Sequence, residues 1–129
     1  MKVVTASTPE QQLYMKEQLQ DLYDRVFPCF FSMSYIQQLK EFKLLQPAKL
    51  EDLTMVEILE VIAAVQTIST ILETLHDNQA AIEVYEEAFR KNASILNKYE
   101  IDFPFELEDF NSNQQVQSQM IERYQNSVH

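Results

Sequence analysis

The run from Thr54 to His76, TMVEILEVIAAVQTISTILETLH, constrains this chain more than any other stretch. Met55, Ile58, Leu59, Ile62, Val65, Ile68, Leu72 and Leu75 recur at steps of mostly three or four, the period of one helix face. Val61, Ala64 and Ile71 widen the apolar surface to a second face. A helix of that kind has to be covered by other segments. Thr54 starts it, because its hydroxyl can accept from an orphan backbone N–H. Glu57, three residues on, can return the bond to the cap's own amide and close a capping box. At about 1.5 Å per residue the helix is roughly 34 Å long, enough to cross a small domain. Glu57, Glu60, Gln66 and Glu73 interrupt it, whereas a membrane span needs about 20 mostly apolar residues in a row. The reading is therefore a buried core helix, with no membrane partner.

The flanking segments supply the cover. Residues 2–6, KVVTA, are β-prone and read as an edge strand or an extended arm. Thr8 caps a helix with Pro9 at its first position, where a missing N–H costs nothing, and Gln11 can close the box. Its stripe is Leu13, Leu19, Leu22, Tyr23 and Val26, and Pro28 ends it at or before Phe27. Phe27, Phe30 and Phe31 read as a plug at one end of the core, with Cys29 a small buried side chain among them. Ser34 reads as the start of a second helix with Tyr35, Ile36, Leu39 and Phe42 inward, followed by a connector over 46–53. His76-Asp77-Asn78 reads as a tight turn, with Asn in the left-handed position. A further helix over 79–98 then lies antiparallel to the central one.

Tyr99 to Phe110, YEIDFPFELEDF, changes period. Ile101, Phe103, Phe105 and Leu107 alternate with acidic residues and Pro104, which reads as an extended strap or edge strand with its odd-numbered side on the bundle. Asp102, Glu106, Glu108 and Asp109 read as its solvated face. From Asn111 the composition turns to Gln, Asn and Ser, giving a polar helix or tail over 111–129 on the same domain.

The chain has 129 residues and no glycine. Phosphate loops, dinucleotide fingerprints and nucleophile elbows need glycine where backbone approaches a ligand, so those enzyme classes are excluded. The net charge of −10 repels phosphate backbones and disfavours nucleic acid as a partner. A single cysteine makes no intramolecular disulfide and fits a reducing, cytoplasmic setting.

MKVVTASTPEQ followed by LYDRVFPCFFS, and the later YEIDFPFELEDF, resemble a family of short uncharacterised proteins from Gram-positive bacilli, classed as a domain of unknown function. The resemblance implies a complete cytosolic protein and carries no catalytic residue or cofactor.

Glu73 and His76 form a Glu-x-x-His unit, which on a helix places a carboxylate and an imidazole on one face. A di-metal bundle needs two such units and two further glutamates, and the second is missing. His76 reads instead as a cation at a helix C-terminus. The sequence thus predicts an all-α, single-domain bundle of four to five helices around 54–76. A short β arm lies at the N-terminus or at 101–107. Residues 1–110 form the bundle and 111–129 the tail. The expected function is a non-catalytic interaction module without cofactor, acting on a protein partner or as a homo-oligomer, with Phe103, Phe105 and Phe110 as interaction residues. The alternative is a small-ligand- or metal-binding bundle, or an enzyme, with a core site near His76.

Overall fold

A computed structural model describes residues 5–47, 49–78 and 82–110. The Val3-Val4 arm and the 111–129 tail lie outside these residues. The protein is an all-α bundle. Helix α1 spans Pro9–Asp21, α2 Met33–Glu41, α3 Met55–Asp77 and α4 Ile82–Lys98, and a 3-10 turn at Leu107–Phe110 closes the described chain.

Both expected capping boxes form. Thr8 accepts from the Gln11 amide at 3.2 Å, and Thr54 accepts from Glu57 at 3.1 Å, each with the return bond in place. Each such cap stabilises its helix by about 1 kcal/mol over an alanine. Helix α2 begins earlier than the sequence suggests. Ser32, not Ser34, takes the cap and accepts from Tyr35 N–H at 3.2 Å. The end of α1 also differs. It widens into a π turn at Leu22–Val26, where Phe27 N–H reaches Leu22 O, and then tightens into a 3-10 turn at Phe27–Cys29.

Helix α3 is the common neighbour, packing on both α1 and α4. Tyr14 and Gln18 meet Gln66, and Arg25 meets Ser69 and Glu73, so α1 runs parallel to α3. Tyr99 and Lys98 reach Glu60, so α4 runs antiparallel. Ile58, Val61, Ile62, Ala64, Val65, Ile68, Ile71, Leu72 and Leu75 of α3 are buried, which accounts for both apolar faces read in the sequence. By length and composition alone α3 could cross a membrane. Its inward residues are instead covered by α1, α4 and the strap.

The strap follows its period. Ile101, Phe103, Phe105 and Leu107 are all buried, while Glu106 and Glu108 are exposed. No strand forms among the described residues. The one β element among them is an isolated antiparallel bridge between Ala6 and Thr54, at the start of α3. Asp109 departs from the solvated face. It is 2% exposed, and its Oδ2 accepts from Glu106 N–H at 2.7 Å, which caps the final turn.

Without glycine, the left-handed backbone positions among the described residues fall on Lys43 (φ 59°), Leu45 (φ 61°) and Glu100 (φ 64°). Asn78 is not among them, because its backbone is extended at φ −149°. Left-handed geometry crowds Cβ against a carbonyl and costs about 1–2 kcal/mol at such residues. Leu45 gains in return a buried side chain and a backbone bond to Asp102 O at 3.0 Å.

Candidate functional site

The structure separates the residues singled out in the sequence. Phe103, Phe105 and Phe110 are 1%, 5% and 0% exposed and form the centre of the core. Phe27 and Phe31 of the corner meet Phe105 and Phe110 with ring centroids 5.2–6.3 Å apart, and Phe89 of α4 meets Phe110 at 5.8 Å. Aromatic side chains bury more area than any others, and a strap that carries four apolar residues inward is held by them. These rings therefore cover the core and are not available to a partner.

Glu73 and His76 sit on the exposed side of the last turns of α3. Glu73 is engaged by the Arg25 guanidinium, which also holds Asp21 at 2.9 Å. The bonds that Arg25 donates to Asp21 and Glu73 hold its guanidinium further above the ordinary range. His76 lies edge-on to Phe30 at 5.6 Å. The expected core site near His76 is instead a surface recess of about 280 Å³, which Arg25 and Cys29 also line. Among the described residues no three His, Cys, Asp or Glu side chains come together as a metal site. Cys29 is exposed rather than buried, because the 3-10 turn points it outward while Phe27 and Phe30 turn in. Its S–H donates to Arg25 O at 3.6 Å.

The outer stripe of α3 is a surface the sequence reading passed over. Val56 is 74% exposed and Leu59 51%, and Ala63, Thr67 and Thr70 continue the stripe. Thr67 and Thr70 donate their hydroxyls back to Ala63 O at 2.8 Å and Gln66 O at 3.0 Å. That arrangement leaves their methyl groups as the outward part. Five positions spaced three or four apart thus form a strip of uncharged side chains, roughly 21 Å long at the helical rise, flanked by Glu60, which Lys98 and Tyr99 hold. Beside it, α1 exposes Leu13 and Tyr14. The strip escaped notice because Leu59 fits the helical period as well as any core residue. Only the placement of α1 decides that it faces out.

An all-α bundle with a buried aromatic strap is the class these observations define. The chain belongs to the family of unknown function DUF5365, whose model matches residues 1–115. It is similar to the uncharacterised protein YhcU of Bacillus subtilis (strain 168), with 32% identity over 111 residues, covering 85% of this chain and 83% of that protein. No solved structure matches.

Proposed function

We propose that this protein is a non-catalytic cytoplasmic module that self-associates through the outer stripe of α3. The observation that carries the reading is the uncharged strip at Val56, Leu59, Ala63, Thr67 and Thr70 on a chain of net charge −10. Two copies of so acidic a chain repel each other over most of their surfaces. They approach at least cost where carboxylates are fewest, and the Glu60 carboxylate beside the strip is already countered by Lys98; an apolar strip also gains by leaving water. A two-fold contact of α3 against α3 uses the same patch on both copies, as closed dimers do.

Light scattering over a concentration series tests this. The parent forms a dimer, and the variant carrying Val56→Glu and Leu59→Glu is a monomer with an unchanged helical spectrum. Removal of residues 111–129 leaves the dimer in place. A parent that stays monomeric at about 1 mM, where even weak contacts populate, refutes the proposal.

A further inference from the structure

A recess between α1, α2 and the turn after α2 has a cavity volume of about 430 Å³. Lys16 of α1 and Lys40 of α2 both line it, over an apolar floor that includes Leu19, Leu45 and Pro47. The chain carries 20 acidic and 10 basic residues, yet no Asp or Glu lines this recess. Neither lysine forms an ion pair among the described residues, so both are available to an anion. Two cations thus face one cavity that has no carboxylate among its lining residues.

The recess is also built rather than incidental. The Lys40 ammonium stands 5.5 Å over the Tyr23 ring, which fixes it at the wall by a cation–π contact. Tyr23 in turn donates its hydroxyl to Leu44 O at 2.7 Å. The turn bearing Leu44 and Leu45 is held in its costly left-handed form at Lys43 and Leu45, and Leu45 N–H bonds to Asp102 O. Backbone held in a sparsely populated region beside a cavity is a common mark of a ligand site. The Tyr23 phenol is neutral at physiological pH, as any tyrosine is, so it adds no negative charge to the wall. Asp102, whose charge acts on Tyr23, does not line the recess.

We propose that this recess binds a small organic phosphate monoester, its dianionic head between Lys16 and Lys40 and its apolar body against Leu19, Leu45 and Pro47. Lysine binds phosphate as a point charge, and two lysines match the charge of a monoester dianion. The site is independent of the α3 strip, since α1 and α2 carry its charges.

Titration calorimetry with phenyl phosphate on the full chain tests it, with inorganic phosphate and phenol as head-only and body-only comparisons. Phenyl phosphate binds saturably and more tightly than either fragment. Lys16→Gln weakens it about tenfold, the loss of one close charge contact, and Lys40→Gln does the same. Lys98→Gln, which removes a lysine already paired with Glu60, changes nothing. Thermal melts accompany each variant. Lys16 is exposed, so its variant carries the test alone if Lys40→Gln disturbs the Tyr23 wall. Absence of saturable binding up to about 10 mM at low salt, or equal affinity in parent and Lys16→Gln, overturns the assignment.

Discussion

The side-chain amide of Asn97 closes a ring on the backbone of Phe103. Its Oδ1 accepts from Phe103 N–H at 2.9 Å and its Nδ2 donates to Phe103 O at 3.1 Å. One side chain at the end of α4 thereby supplies both bonds that a neighbouring strand would otherwise give. The strap needs no β partner at that point, and the Phe103 ring is delivered into the core.

Asn97→Ala should lower stability by about 2 kcal/mol, because two backbone groups beside the core lose their partners. Asn97→Asp keeps the acceptor but sets a carboxylate oxygen against the Phe103 carbonyl, so it should not rescue. Urea unfolding reads both. An Asn97→Asp protein as stable as the parent would contradict this role.

Phe110→Ala distinguishes core from contact surface. A fully buried ring at the meeting of Phe27, Phe31 and Phe105 should cost about 3–5 kcal/mol on truncation. A large fall in melting temperature is the expected result. A variant that melts like the parent while losing a partner would restore the reading of this ring as an interaction residue.

Alkaline stability should depend on Tyr23. Burial first, and then the charge of Asp102, holds its phenol above the ordinary tyrosine value of about 10. The unfolded chain loses that proton first. The stabilisation is therefore complete below about pH 10 and is lost as pH rises towards the folded value. Tyr99, raised by its burial and by its bond to Glu60, adds to the same slope. Tyr23→Phe should lose about 1 kcal/mol at neutral pH with its bond to Leu44, and should flatten the decline above about pH 10. Denaturant midpoints across that range measure it, and parallel curves for the two proteins would exclude Tyr23 as a source.

Cys29 should react in the native state. It is exposed, and it is the single thiol of the chain. A chromogenic disulfide reagent should titrate one thiol per chain without denaturant, at a rate that denaturant changes little. Slow labelling that waits on unfolding would place the side chain inside.

What local chemistry specifies, the sequence disclosed. Thr54 and Glu57, or Thr8 and Gln11, need only each other and the first turn of a helix. The strap's odd-numbered residues need only a period of two. The misplacements have a different origin. Ser32 and Ser34 are both competent caps, and the choice between them is made by which register buries Tyr35, Ile36 and Leu39. Leu45 is left-handed because its burial and its bond to Asp102 offset the cost that would otherwise favour asparagine there. The facing of Cys29 follows from a π turn and a 3-10 turn that no periodic pattern announces. Lys16 and Lys40 come from different helices, so their convergence exists only in the folded chain.

The parallel course of α1 beside α3 bears on the order of assembly. Tyr14, Gln18 and Arg25 find their partners 44–52 residues further along the chain. Helices α3 and α4 meet across a short reversal and can pair as soon as both exist. During synthesis α1 therefore emerges before α3 and cannot make these bonds until α3 has followed it. Met15 and Leu19, buried once the chain is folded, are in view of the cell's chaperones throughout that interval.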